Sequence, residues 1–332
     1  MVSVDRAFYN AAERNRFGLL EILFWLCPIA AFFLFPTSLS FATHVLIMAL
    51  FAMSLGLILS FAGIVTLGHA AFFGLGAYVT ALLSLAGYQE PITATFLGGA
   101  AAAVLALVIG PLLLRLTGLP LMMVTLALGA VMFEAANKLG WLTGGENGLG
   151  DLRYQPVFGI FRWSIYGQTA YFYTLAWLFV LFLLTRSLVA SPFGLALQGI
   201  RENPLRMNLI GAPVTGHLVR VYTISAFIAG IAGALSAQAT GFVGLDVLSV
   251  DLSINALVML VLGGVGNIYG GLVGGALYIV LRNLASDWNP YHWMFVIGAF
   301  LVVVVLLGQN GVIGIVERLT SLISGQRKET SP

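Results

Sequence analysis

Apolar runs of membrane-crossing length follow one another along this chain with only short polar joints between them, and that pattern leaves few folds open. The runs read at about Phe17 to Phe35, Leu39 to Ala62, Thr66 to Ala86, Ile92 to Leu114, Pro120 to Leu139, Tyr171 to Leu188, Val219 to Thr240, Leu252 to Leu262, Tyr269 to Leu284 and His292 to Leu307. A helix needs roughly 20 apolar residues to cross the hydrocarbon core, where every backbone polar group must be satisfied inside the protein. The expectation is an all-α polytopic membrane bundle of about ten spans, a single transmembrane domain over residues 1–332. With 60% hydrophobic and 8% charged residues, a soluble globular fold is excluded. The joints leave no room for a sizeable soluble domain, so any energy-converting machinery must lie on another chain. Cys27 is the single cysteine, which excludes a disulfide within the chain and a thiolate metal site.

Arg6, Arg14 and Arg16 precede the first run in the manner of a signal peptide, but the run is too long for one and Pro36 follows it in place of a small-residue cleavage site. It reads as an uncleaved first span. An even number of spans puts both termini on one side. With the N-terminus cytoplasmic, the inner segments hold Arg6, Arg14, Arg16, Arg115, Arg186, Arg201, Arg206, Arg220, Arg318, Arg327 and Lys328, while only Lys138, Arg153, Arg162 and Arg282 fall outside. That asymmetry satisfies the positive-inside rule, and Trp141, Trp163, Trp288 and Trp293 gather near the outer ends as interfacial anchors do.

The longest inner joint runs from Leu188 to Gly216. Leu195, Ile200, Leu205 and Leu209 recur there among Gln198, Arg201, Glu202 and Asn203, which predicts an amphipathic helix between Pro192 and Gly211. Such a helix fits docking onto a cytoplasmic partner; from spacing alone it fits a helix lying in the lipid headgroups equally well.

Two glycine-rich stretches, FAGIVTLGHAAFFGLGAY and LGGVGNIYGGLVGGALY, separate the second from the third run and the eighth from the ninth. Gly266, Gly270 and Gly274, like Gly271 and Gly275, lie four apart, a spacing that lets a neighbouring helix backbone approach closely. Paired breaks in corresponding parts of two halves also mark helices that line a substrate path. Polar groups within spans are expensive, so His69, Glu134, Asn255 and Asn267 are path candidates, with Glu134 expected to face the bundle interior. Glu21 and Asn137 fall near span ends and are expected to reach the interface, and His44 to bond a neighbouring helix.

No Walker A loop is possible, because Lys138 and Lys328 are the only lysines and neither follows glycine. Neither an HExxH zinc motif nor a GxSxG elbow occurs, so no enzymatic constellation is recognised. There is also no set of intramembrane acids and bases resembling a proton relay.

The segments LGHAAFFGLGAY, LPLMMVTLALGAVM, LTGGENGL, SPFGLALQGIRENPLRMNLIGAPV, FIAGIAGALSAQ and LVMLVLGGVGNIYGGLVGGALY, in that order, resemble the permease subunits of branched-chain amino acid ABC importers, over about Ala52 to Leu319. The stretch Thr143 to Leu149 resembles the branch of that family with a TGG-x-NGL outer loop. The resemblance implies a second permease subunit, two cytoplasmic ATPase subunits that hold the ATP, an extracytoplasmic substrate-binding protein, a bacterial inner membrane and no nucleic acid. On this chain it implies no cofactor, metal or catalytic residue. It further implies that the loop helix seats on an ATPase, with Arg201, Glu202 and Asn203 as its polar contacts. Thr143, Gly144, Gly145, Asn147 and Gly148 would receive the binding protein or close the path entrance. Leucine, isoleucine and valine are the default substrates. An ion-coupled secondary carrier of small amino acids or amides is the alternative.

Overall fold

The computed structural model describes residues 19–34, 36–164, 167–289, 291–307, 311–312 and 314. Both termini, with Arg6, Arg14, Arg16, Arg318, Arg327 and Lys328, lie outside the described residues.

Each apolar run holds one helix. These are α1 (Leu19–Leu34), α2 (Leu39–Leu57, running on as a π-turn over Ile58–Ala62), α3 (Ala70–Leu85), α4 (Pro91–Leu113) and α5 (Leu119–Lys138). After a one-turn α6 (Gly140–Thr143) come α7 (Gln168–Ala190), the joint helices α8 (Pro192–Glu202) and α9 (Pro204–Leu209), and α10 (Val214–Thr240). The chain continues with α11 (Val250–Gly263), α12 (Ile268–Trp288) and α13 (Trp293–Leu307). The described residues contain no strand, only the isolated bridges Leu149–Val243 and Val157–Phe161. The fold is all-helical and multi-pass. Among the described residues six helices are long and apolar enough to cross a bilayer: α2 with its π-turn, α4, α5, α7, α10 and α12. Four shorter apolar helices occupy the remaining runs, at Phe24–Leu34, Ala70–Leu85, Val250–Gly263 and Trp293–Val304.

Helix starts follow from local chemistry. Pro91, Pro192 and Pro204 open α4, α8 and α9 at the position where a missing N–H costs nothing. Ser249 accepts from Leu252 N at 3.2 Å to cap α11, and Asn267 accepts from Tyr269 N at 3.2 Å to cap α12.

The core is built on α2 and α10. Of the α2 span 89% is buried, against 22% of α5, so α5 is peripheral within this chain. In lipid the hydrophobic effect does not drive helices together, and small residues that let backbones touch take its place. A Cβ added at Gly271 or Gly275 on α12 would lie 2.6 Å from the α2 backbone at Met53 or Ala49. On the other side of the core, a Cβ at Gly76 of α3 would lie 2.0 Å from Gly230 O of α10. Gly266 departs from the expected pattern. It precedes the start of α12, its φ is +110°, and a Cβ there would meet nothing within 4 Å. Its role is therefore conformational: the backbone takes a turn that other residues rarely adopt.

Candidate functional site

The two glycine-rich breaks lie against each other at one end of the bundle. In the first, the π-turn Ile58–Ala62 ends at Gly63, whose φ of +70° caps the helix by bonding its N–H to Ile58 O. His69 then leads into α3, fully buried, with Nε2 2.8 Å from Ser54 Oγ. Ser54 Oγ donates its own hydrogen to Phe51 O at 2.6 Å, so it accepts from His69, which fixes the Nε2–H tautomer and leaves Nδ1 without a partner. The imidazole stacks on Phe51 at 5.4 Å and meets Phe72 edge-on at 5.9 Å. Leu67 N bonds Thr125 Oγ1 of α5 at 3.2 Å, and Ala70 N bonds Ser253 Oγ of α11 at 2.9 Å. This break is stitched into the bundle, and His69 is enclosed by its own chain.

The second break, Gly264 to Asn267, approaches the first through a single residue. Gly266 N donates to Ser60 Oγ at 3.0 Å, while the carbonyl of Ser60 accepts from the Arg201 guanidinium at the end of α8. Ser60, in the π-turn and 1% exposed, thus joins the second break to α8. Beside it lies a cavity of about 200 Å³ lined by Glu21, Phe61, Phe182, Arg186 and residues 266 to 269. Glu21 does not simply reach the interface: it pairs with Arg186 of α7 at 2.8 Å, with side-chain exposures of 24% and 7%. A larger groove of about 520 Å³ between α1 and α7 is walled by Trp25, Leu26, Ile29, Phe172, Leu175 and Phe179 and adjoins neither break.

The joint between α7 and α10 differs from its predicted form. One continuous helix was expected, but Asn203 is extended (φ −156°, ψ 95°), as a residue before proline prefers, and splits the segment into α8 and α9. Asn203 Oδ1 caps α9 by accepting from Arg206 N at 2.9 Å. The buried face of α8 is Gly194, Leu197 and Ile200, with Phe193 stacked on His217 at 5.4 Å. Of the predicted apolar positions only Ile200 is buried; Leu195, Leu205 and Leu209 are 39%, 74% and 88% exposed. Arg201 turns toward its own chain, and Glu202 makes no ion pair among the described residues.

The remaining candidates do not converge on one cavity. Glu134 faces away from the core and pairs with Lys138 one turn on at 3.5 Å, both side chains being more than half exposed. That corrects the expectation that it points into the bundle: Glu134 lies on the outer side of peripheral α5. Asn255 accepts from Tyr278 Oη at 2.8 Å across α11 and α12, and Asn267 is the cap of α12. In the loop after α5, Thr143 is buried and donates to Ala136 O and Leu139 O. Gly144, Gly145 and Gly148 all have positive φ, and Leu149 pairs with Val243 of the α10–α11 loop through bonds of 2.8 and 2.9 Å. Asn147 and Glu146 are exposed at the tip.

Comparison with known proteins gives this geometry its context. The family described as branched-chain amino acid transport system / permease component matches residues 37–305. The high-affinity branched-chain amino acid transport system permease protein LivM of Salmonella typhimurium is 28% identical over 313 residues, covering 88% of this chain and 73% of that protein. The LivM protein of Escherichia coli is 27% identical over 309 residues, covering 86% and 72%. LivH of Salmonella typhimurium, a second permease protein, is 27% identical over 125 residues, or 37% of this chain and 40% of its own length. No solved structure matches. With the match running through every long apolar helix, the chain belongs to the branched-chain amino acid transport permease family.

Proposed function

We propose that this chain is a permease subunit of an ATP-driven importer of branched-chain or other hydrophobic amino acids. It works in the bacterial inner membrane, with both termini cytoplasmic and about ten spans. In this reading it pairs with a second permease subunit and takes substrate from an extracytoplasmic binding protein. Two cytoplasmic ATPase subunits drive alternating access, so ATP is bound on those chains and this one carries no cofactor.

The observation that carries the reading is the α8–α9 pair. It is a helix pair held to the bundle by Gly194, Leu197 and Ile200, while Glu202 and every residue of α9 except half-buried Met207 are exposed. A segment built only to join α7 to α10 needs neither that rigid seat nor that free surface. Glu202 and α9 are its ATPase-facing surface, with Arg201 and Asn203 holding the pair in shape from within. The outer loop around Gly144 to Gly148 is the element that meets the binding protein.

The deciding measurement is uptake of labelled leucine into liposomes holding the two permeases and the ATPases. ATP is supplied on the ATPase side and loaded binding protein on the other. Uptake is expected to require all the components and to be competed by isoleucine and valine. Uptake by this chain alone, driven by an ion gradient and indifferent to ATP, would instead establish a secondary carrier.

A further inference from the structure

We infer that Arg201 is a positioning residue that pins the cytoplasmic helix pair to the meeting point of the two helix breaks, so that displacement of α8 reaches both breaks together. The inference deepens the importer reading and rests on it. Three observations carry it.

First, Arg201 lies at the last turn of α8 on an exposed stretch of chain, yet its guanidinium donates to the carbonyl of buried Ser60. Its stem lies against Gly63: a Cβ built on that glycine would be 3.0 Å from Arg201 Cγ. A charge-assisted bond to a main-chain oxygen is stronger than a neutral one and does not depend on a second side chain's rotamer. Arg201 therefore grips the backbone of the π-turn itself.

Second, the gripped residue is the one that the other break holds. Ser60 Oγ accepts from Gly266 N at 3.0 Å, so a shift of the π-turn pulls on the loop before α12 as well as on the loop before α3.

Third, the second break is open at the residue that Ser60 holds. Gly266 carries φ +110° with no heavy atom within 4 Å of where a Cβ would stand, unlike the crossing glycines on α12, which are in backbone contact. Glu202, one residue on, forms no ion pair among the described residues and remains free for the ATPase. The two neighbours thus divide the work, Glu202 outward and Arg201 inward.

The test uses the complete importer in liposomes and reads ATPase co-purification, ATP hydrolysis and uptake separately. Arg201→Gln should leave co-purification at the wild-type level and lower the amino acid transported per ATP by about tenfold, within the range of coupling factors between linked sites. Arg201→Lys, which keeps a charged donor, should recover part of that ratio. Ser60→Ala keeps the carbonyl and removes only the acceptor for Gly266 N. It should lower the same ratio less, and the double variant should fall by less than the product of the two single effects, because both act in one relay. Ser60→Ala also reads the relay where Arg201→Gln is not recovered from membranes. The inference is overturned if Arg201→Gln loses co-purification and uptake in parallel at an unchanged ratio, since Arg201 would then be an ATPase contact. It is equally overturned if the ratio does not change in any of these variants. Absence of ATP-dependent uptake in the wild-type assembly is a different result, and it overturns the importer reading beneath this one.

Discussion

Gly271→Ala tests whether backbone contact between α12 and α2 holds the core together. The added carbon would lie 2.6 Å from both Met53 Cα and Met53 N, and 2.7 Å from Ala52 C. Carbon atoms pack best at roughly 3.5–4.0 Å, so α12 must retreat by about 1 Å, and a gap of that size forfeits a quarter to a half of each contact's attraction. The obstacle is main chain in a buried helix, which cannot rotate away as a side chain can. The cost therefore falls at the upper end of the overpacking range, about 3 kcal/mol. Replacing glycine in a helix returns about 1 kcal/mol through propensity. The net loss is about 2 kcal/mol, roughly 30-fold in the folded-to-unfolded ratio. Gly298→Ala is the control, because that glycine is also helical and has nothing within 4 Å of the added carbon. It should be neutral or up to about 1 kcal/mol more stable. Unfolding of the purified chain in detergent by heat or dodecyl sulfate, followed by loss of helical signal, separates the two. Equal stability of Gly271→Ala and wild type, or an equal fall in both variants, would refute the argument that this crossing is set by backbone contact.

Three further outcomes are expected. Arg186→Met should destabilise the chain by about 3–5 kcal/mol by stranding Glu21, and adding Glu21→Gln should recover much of the loss; a fully additive double variant in the same unfolding assay would mean that the 2.8 Å pair is not coupled. Glu202→Lys should leave membrane insertion intact while separating ATP hydrolysis from uptake, and unchanged association and transport would assign α8 to the lipid surface. Replacing residues 143–148 by a Gly/Ser segment of equal length should abolish stimulation of ATP hydrolysis by loaded binding protein in complexes that still assemble. Unchanged stimulation and uptake would make the loop an ordinary connection.

What could be read in advance was whatever depends on composition along a segment. Apolar runs located every long helix, because a helix in lipid needs length and hydrophobicity and nothing more specific. Phase was harder. The apolar pattern assigned to Leu195, Ile200, Leu205 and Leu209 assumes one continuous helix, whereas the Asn203–Pro204 step resets the register and leaves the last two on exposed α9. The asparagine–proline signal was present and outweighed by periodicity. Gly266 misled similarly, since four-residue spacing counts as a packing face only inside a helix, and α12 begins after Asn267. Glu134 and Lys138, four residues apart, carried the signal of an exposed pair on one helix face. Glu21 with Arg186, and Ser54 with His69, carried none, because nothing local in either partner's surroundings names the other.

The distribution of tight and loose contacts limits where the bundle can move. At Gly271, Gly275 and Gly76 a neighbouring backbone comes within 2.6 Å or less of an added Cβ, so α12 with α2, and α3 with α10, pack as units with little room to slide. The first break lies between those units, Gly63 to His69 joining α2 to α3, whereas Gly264 to Asn267 joins α12 to α11, whose backbones touch at Gly274 and Met259. Around the breaks, backbone contact of Gly68 with Thr125 is joined by discrete hydrogen bonds through Ser60, Thr125 and Ser253. A discrete bond can be exchanged in one step, whereas a packed crossing must be separated along its length. A change of access in this chain is therefore expected to leave the glycine crossings intact, to rotate the units about the first break and to exchange the bond that ties it to the second. Cross-links between side chains of α12 and α2 beside the Gly275–Ala49 crossing should permit transport, while a cross-link between the loop before α12 and the π-turn should stop it. The reverse pattern would relocate the joint.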